Sequence, residues 1–220
     1  MAITRAMQER HMVRKYTDKP IPADIVAKLE ERIAQDNRAK GTYVKLMVGD
    51  TSAFNAAIKL VLAKNVRNYL IMAGDDAPDL DERLGWVGAD IMLYAQELGL
   101  NSWWVGGTFS RDVVSKLVDG RHATGVVALG YGATQGKPHK SKLPEEVSEY
   151  VGGQAPAWFT EGVEAALLAP TALAKQPFHI RGEGNRVSIE HEGGTFAGAD
   201  TGLVKYHFEV GAGAENFEWV

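Results

Sequence analysis

Two arginines near the start of the chain have the spacing of an anion-binding pair. Arg10 and Arg14 lie four residues apart, so on a helical turn they would share one face. Two neighbouring guanidinium groups can hold a phosphate through paired, charge-assisted hydrogen bonds. Taken alone, such a pair is also typical of a solvated surface. The run that contains it reads Arg10-His11-Met12-Val13-Arg14-Lys15-Tyr16, followed by Thr17-Asp18-Lys19-Pro20-Ile21.

Glycines in the middle of the chain form a second candidate segment. Gly106 and Gly107 follow an aromatic run and Val105. Glycine lets a backbone approach a planar ring closely, and its N–H can point at an acceptor. The alternative is an ordinary turn between a strand and a helix. The later Gly130-Tyr131-Gly132 is not a dinucleotide-binding fingerprint, because the third glycine and the following helix are missing.

Other kinds of catalytic site find no support in the sequence. The absence of cysteine excludes disulfides, thiolate zinc sites, iron–sulfur clusters and a cysteine nucleophile. The six histidines are scattered and form no pair at metal-ligand spacing. No Gly-x-Ser-x-Gly elbow is present. We therefore expect neither a metal site nor a nucleophilic residue of the protein.

Apolar periodicity predicts mixed α and β structure throughout the chain. Helices are predicted over residues 21–33, 84–98 and 201–210, with two more capped by Ser110 and Thr160. Strands are predicted over residues 43–48, 66–73, 102–105 and 124–130, and a hairpin over 178–189. The stretches 21–48 and 160–180 each read as helix, turn and strand, with a polar turn at residues 35–40 in the first. They are either a duplication or two unrelated units.

Composition and charge restrict the class of protein. The chain has 220 residues, 45% of them hydrophobic and 24% charged, as expected for a globular protein. The net charge of −4 gives no basic field for nonspecific nucleic-acid binding. The N-terminus lacks the apolar run of a signal peptide, and no stretch is long enough to span a membrane. We expect a cytoplasmic protein without nucleic-acid or membrane partners.

Near residue 170 stands a further segment, Ala169-Pro170-Thr171-Ala172-Leu173-Ala174-Lys175-Gln176-Pro177-Phe178. Together with the basic segment at the start, it resembles the nitroreductase family of FMN-dependent oxidoreductases. The resemblance implies an α+β fold, a nitroreductase-like α/β sandwich. It also implies that FMN binds at residues from four segments: Arg10, His11, Met12 and Arg14; Val105, Gly106 and Gly107; Lys140 and Lys142; Ala169, Pro170, Thr171 and Gln176.

Individual roles are implied by the same resemblance. The first arginine would hold the FMN phosphate, and Arg14 would reach the ribityl chain and the pyrimidine side of the ring. A glycine N–H at 106 or 107 would lie near flavin N5 or O4. Lys140 and Lys142 would complete the phosphate site, although a basic run in a loop is more often only solvated.

The implied activity is a ping-pong oxidoreductase reaction. NADH or NADPH would dock transiently and reduce FMN, and a small nitroaromatic, quinone or similar acceptor would then be reduced on the same face. Hydride transfer itself requires no acid or base from the protein, which agrees with the absence of a catalytic constellation.

The distance between the two family segments suggests an unusual organisation. Short family members carry them about one helix apart, whereas here most of a domain lies between them. We expect two half-subunits fused as a pseudo-dimer, residues 1–150 forming the first half and residues 151–220 a shorter second half joined by a linker at 151–156. One chain would form one FMN site and remain a monomer.

Two departures from the family pattern leave an alternative open. Met12 stands where the family often has serine, and Ala174 replaces an asparagine whose amide usually contacts the flavin. Both departures favour a different class, a flavin-binding or sequestering protein without significant reductase turnover.

Overall fold

The computed structural model describes residues 4–55, 58 and 63–220. Within this part, the helices are α1 (Arg5–Glu9), α2 (Ala23–Lys40), α3 (Leu80–Glu97), α4 (Arg111–Leu117), α5 (Pro144–Val147), α6 (Ala157–Ala166) and α7 (Ala197–Ala212). Short 3₁₀ turns cover Ala172–Ala174 and Ala214–Asn216.

The strands form two sheets of four. They are β1 (Lys45–Val48), β2 (Asn68–Gly74), β3 (Asn101–Val105), β4 (His122–Gly130), β5 (Ser148–Val151), β6 (Phe178–Glu183), β7 (Arg186–His191) and β8 (Glu218–Trp219). The first sheet has the order β1-β2-β4-β3 and is antiparallel throughout. The second has the order β5-β6-β7-β8, and only its central pair is antiparallel. The fold is mixed α+β.

Strand β2 shows why the first sheet is buried on both faces. Its seven residues are all buried, and alternate side chains enter two different cores. Leu70 and Met72 join a core that extends to the second sheet, whereas Tyr69 and Ile71 join a core on the opposite face. A strand covered on both faces reads as a continuous apolar run, which is the pattern that predicted it.

Helices α3 and α7 approach each other backbone to backbone. A Cβ atom on Gly202 would overlap the carbonyl oxygen of Glu82, and a Cβ on Gly85 would overlap that of Ala199. Glycine is therefore required at both positions. Because α3 leads into β3 and α7 begins near Ala197, this contact holds the end of β3 and the start of α7 in a defined relation.

The predicted helices and strands over long apolar patterns are confirmed, with shifted ends. Helix α2 runs to Lys40, so the polar turn expected at residues 35–40 is wrong. The helix ends only at Gly41, because this is the residue that adopts the left-handed conformation of a helix C-cap. The Asn37 side chain also ties its last turn to the backbone N–H and carbonyl of Val44, at 2.8 and 2.9 Å.

The N-cap expected at Thr160 is also wrong. Helix α6 begins at Ala157 with Pro156 as its N-cap, which places Thr160 inside the helix. The fixed φ of proline favours a helix start, and here it outweighs the capping preference of threonine. None of the helices in the described part of the chain is long and apolar enough to cross a bilayer.

Candidate functional site

A cleft of about 560 Å³ brings together segments that are far apart in the sequence. Its volume lies in the range of small-molecule sites, roughly 300–1,000 Å³. Five stretches contribute to its lining: residues 10–14, 103–108, 137–139, 170–174 and 196–203. Nine of the residues predicted as cofactor ligands line it, namely Arg10, His11, Met12, Arg14, Val105, Gly106, Gly107, Pro170 and Thr171.

Arg10 and Arg14 do not lie on the helical turn that would give them a common face. Helix α1 ends at Glu9, and Arg10 already has an extended conformation. Beyond it, Met12 forms a parallel bridge with Ser102, at the start of β3. A spacing of four still places Arg10 and Arg14 on one side, because side chains along an extended segment alternate with a period of two. Both arginines therefore face the cleft because of the period of two along an extended segment, and not because of a helical turn.

Arg10 is the most unusual side chain of the cleft. It is only 5% exposed, and its Nε has no hydrogen-bond partner within the described residues. Burial lowers the pKa of Arg10 to about 10, so the side chain remains charged at neutral pH. Buried charges are normally paired. A buried guanidinium that lines a cleft, with an Nε that finds no partner among the described residues, is suited to binding an anion.

Further basic groups surround Arg10. Arg14 is exposed, and its guanidinium lies 4.9 Å from the centre of the Trp103 ring, which holds it at the cleft. Lys137 lines the same cleft. Burial, and next the nearby Arg10, lower the pKa of His11. Burial lowers the pKa of His207 to about 3, and Arg10 and His139 act in the same direction. The cleft is therefore electropositive at this end.

The glycine pair forms a second wall. A Cβ atom on Gly107 would meet no atom within 4 Å, whereas one on Gly106 would overlap the Phe196 ring. The backbone at Gly107 is thus open to close approach by a flat ligand. Phe196, at the start of α7, was not expected from the sequence, and an isolated aromatic after Gly193 and Gly194 gives no signal of its position.

The third wall consists of residues 170–174, which Asp200 anchors. The backbone N–H of Ala172 donates to both carboxylate oxygens of Asp200, at 2.9 and 3.0 Å. Asp200 is buried and lines the cleft, and burial raises its pKa. His191 Nε2 lies 3.7 Å from the same carboxylate. A carboxylate within the apolar stripe of α7 was the one sequence signal for this residue.

The other predicted ligands lie outside the cleft lining. Lys140 is exposed, and Ala169 is buried. Gln176 is fully buried, and Lys142 binds it twice: its backbone N–H donates to Oε1 at 2.7 Å and its Nζ to the carbonyl oxygen at 2.8 Å. Lys137 and His139 line the cleft from the same basic run. Within the part of the chain described, no three potential metal ligands are grouped.

Several solved structures with a similar fold are described as nitroreductases. A “putative nitroreductase” from Thermotoga maritima has a TM-score of 0.70 at 20% identity, covering 96% of this chain and 83% of that one. Two others, each a “putative nitroreductase in complex with FMN”, have TM-scores of 0.54. The one from Desulfovibrio desulfuricans is 14% identical over 69% of this chain and 96% of its own, and that from Exiguobacterium sibiricum is 13% identical over 66% and 95%. At these identities the likeness concerns the fold alone.

Sequence comparison identifies the family directly. No curated protein sequence shows significant similarity to this chain. The family described as “Putative TM nitroreductase” matches residues 2–212, which is nearly the whole length of the sequence. The predicted resemblance is thereby confirmed at the level of the family, and the chain belongs to this nitroreductase family.

Proposed function

We propose that this chain is an FMN-dependent NAD(P)H oxidoreductase. Its acceptors would be nitroaromatics, quinones or similar electrophiles, reduced in a ping-pong cycle. The observation that carries the proposal is the buried guanidinium of Arg10 at the electropositive end of the cleft, whose Nε has no hydrogen-bond partner among the described residues. A charged donor without a partner is expensive to bury, so its presence is best explained by an anionic ligand. FMN complexes of fold relatives support this choice of anion.

The residues of the cleft fit FMN. Arg10 and Lys137 would hold the phosphate, and Arg14 would reach the ribityl chain or the ring edge. The open backbone at Gly107 gives a planar ring room to approach. Met12 and Ala174 still depart from the family pattern. Both line the cleft, and neither has the side-chain amide or hydroxyl that would bind FMN there. His139 lines the same cleft and offers ring nitrogens.

This fit gives the cofactor and the protein separate roles. Bound FMN would supply two-electron chemistry at N5, accepting hydride from a nicotinamide and passing electrons to an acceptor. The chain would bind and orient FMN: Arg10 would fix one end of the cofactor, and Trp103 holds the guanidinium of Arg14 in place. A fixed cation close to the ring stabilises negative charge that develops there, which favours the reduced state.

Direct spectroscopy tests the activity. The purified protein mixed with FMN is expected to give a bound-flavin absorption spectrum. Anaerobic mixing with NADH or NADPH in a stopped-flow instrument should bleach it much faster than free FMN at the same concentration, which serves as the control. A bound flavin that neither donor bleaches would indicate a flavin-sequestering protein. Failure to bind FMN would contradict both functions.

We further propose that one chain completes one site as a fused pseudo-dimer, residues 1–150 and 151–220 being its halves. Support comes from the cleft lining, which takes Arg10 and Gly107 from the first range and Thr171 and Asp200 from the second. A site within one chain has no association entropy to overcome. The small-molecule acceptor, the cytoplasmic location and the absence of nucleic-acid partners stay predictions.

Native mass spectrometry is expected to show a monomer that carries one FMN. The reason is that the chain has one Arg10–Arg14 segment and one Ala169–Thr171 segment. Denaturing mass spectrometry of the same sample gives the chain mass and thus the stoichiometry. Two flavins per chain, or FMN retained only by a dimer, would contradict the pseudo-dimer while leaving the proposed chemistry intact.

A further inference from the structure

Backbone strain is concentrated in the wall of the cleft that follows Pro170. Leu173, Ala174 and Gln176 have φ angles of 55°, 54° and 51°. Residues with a Cβ atom rarely adopt this left-handed conformation, which glycine, asparagine and aspartate tolerate better. Such strain persists only where the surrounding structure enforces it, and it clusters at ligand clamps and active sites.

Hydrogen bonds on both sides of Leu173 enforce the conformation. Before it, Ala172 donates to the buried carboxylate of Asp200. After it, the backbone N–H of Gln176 donates to Thr171 Oγ1 at 3.1 Å, and the Gln176 side chain donates to the carbonyl of Leu167 at 2.7 Å. Leu173 therefore cannot relax without breaking buried contacts.

The strained position carries a side chain that the fold does not use. Leu173 lines the cleft and is 83% exposed. Exposed apolar surface gains free energy only when something covers it. Met12, which is 49% exposed, and Phe196 line the same cleft. The rim at Leu173, Met12 and Phe196 is thus apolar, whereas the end of the cleft at Arg10 is cationic. The ligand that suits the rim is a flat apolar ring, either neutral or anionic.

We propose that Leu173 determines acceptor specificity by packing on the ring face of planar, apolar acceptors. The inference rests on the proposed function and narrows it: aromatic ring acceptors depend on this side chain, whereas small hydrophilic acceptors do not. The strained turn held by Asp200 is the positioning device, because it directs a leucine side chain outward where an unstrained turn would not.

Binding of 2-naphthoate, a planar anion that cannot be reduced in this way, tests the proposal without turnover. Calorimetric titrations in saturating FMN compare the wild type with Leu173→Asn, Leu173→Met and Leu143→Asn. Leu143 is the matched control, an exposed leucine outside the cleft lining. Because covering part of a leucine contributes a modest affinity, L173N should bind about three- to tenfold more weakly. L173M and L143N should bind like the wild type.

Two further measurements separate specificity from other roles. L173N is expected to melt no lower than the wild type, because asparagine tolerates the backbone conformation and little buried surface is lost. In turnover, L173N should raise KM for a naphthoquinone by a larger factor than KM for ferricyanide, and L143N should change neither. If no acceptor is reduced by any variant, the proposed function fails, while the naphthoate titration still decides the role of Leu173.

Several results would overturn the proposal. They are equal naphthoate binding by L173N and the wild type, no naphthoate binding by the wild type at millimolar concentration, or a clearly lower melting temperature of L173N. A change in native mass caused by L173N would also overturn it, because Leu173 would then contact a second copy of the chain.

Discussion

Replacing Arg10 with Ala is expected to weaken FMN binding by about one to two orders of magnitude. A hydrogen bond to a charged group contributes roughly 1.5–3 kcal/mol, and 1.4 kcal/mol corresponds to a factor of ten. The loss should be large because Arg10 is almost completely buried and no described residue binds its Nε in competition with the ligand. Fluorescence titration of FMN measures the change.

Riboflavin, which lacks the phosphate, provides the decisive control for Arg10. The wild type should bind FMN more tightly than riboflavin, and Arg10→Ala should remove most of that difference. Arg5→Ala, an exposed arginine paired with Glu9, should leave both affinities unchanged. Equal losses for FMN and riboflavin would mean that Arg10 supports the fold and does not contact the phosphate.

The apoprotein provides a second readout for the same site. Arg10→Met keeps the volume of the side chain and removes a buried charge without a partner for Nε, so the ligand-free variant should be at least as stable as the wild type.

Stability should fall as the pH rises from about 4 to 7, and Asp36 should be a main cause. Asp36 is 7% exposed, and its Oδ2 has no hydrogen-bond partner in the described part of the chain. Burial, and next the Asp90 carboxylate, raise the pKa of Asp36 from 3.8 to about 7, against the opposing effects of Arg32 and Lys40. In this window the folded chain holds a proton that the unfolded chain has released. The difference between these two pKa values corresponds to roughly 4 kcal/mol as an upper value.

Asp90 explains why the proton resides on Asp36. Burial alone would raise the pKa of Asp90, but hydrogen bonds from Arg32 at 2.5 and 2.6 Å and from Tyr206 at 2.5 Å outweigh it and lower the pKa. Asp90 thus stays ionised, and its neighbour is the carboxyl that takes up the proton.

Urea unfolding at pH 5, 6, 7 and 8 and constant ionic strength checks this expectation. The free energy of unfolding of Asp36→Asn should depend less on pH than that of the wild type. Relative to the wild type, Asp36→Asn should become more stable toward pH 8. Asp76→Asn removes the same charge from an exposed position and should follow the wild-type curve. Parallel curves for Asp36→Asn and the wild type would show that Asp36 is ionised throughout the range.

Elements with long apolar patterns could be predicted from the sequence because local and tertiary preferences agree in them. Helix α3 buries a broad stripe that includes Leu84 and Ile91, and the hairpin of β6 and β7 turns at Gly184. Short elements were missed, among them β5 and β8. Those strands depend on pairing with β6 and β7, and such pairing leaves no periodic signal in four or two residues.

Residues of the candidate site could be named from the sequence where they belong to a motif. They could not be named where only tertiary contacts bring them to the cleft. Arg10 and Arg14 were named from a sequence motif, and both line the cleft without lying on one helical turn. Lys142 is a lysine in a suitable run, yet its contacts with Gln176 direct it away from the cleft lining. Asp200 reaches the cleft only because α7 packs on α3, a relation that no local pattern encodes.

The backbone contact between α3 and α7 gives the cleft a stiff frame. Where Gly85 and Gly202 meet the opposite main chain, no layer of side chains remains that could be compressed or could slide. Ligands of different thickness would then be accommodated by rotation of rim side chains such as the exposed Leu173, and not by separation of these two helices. Rotamer changes of exposed side chains take picoseconds to nanoseconds, whereas domain motions take microseconds or longer. Exchange of donor and acceptor at this cleft would therefore not require these two helices to separate.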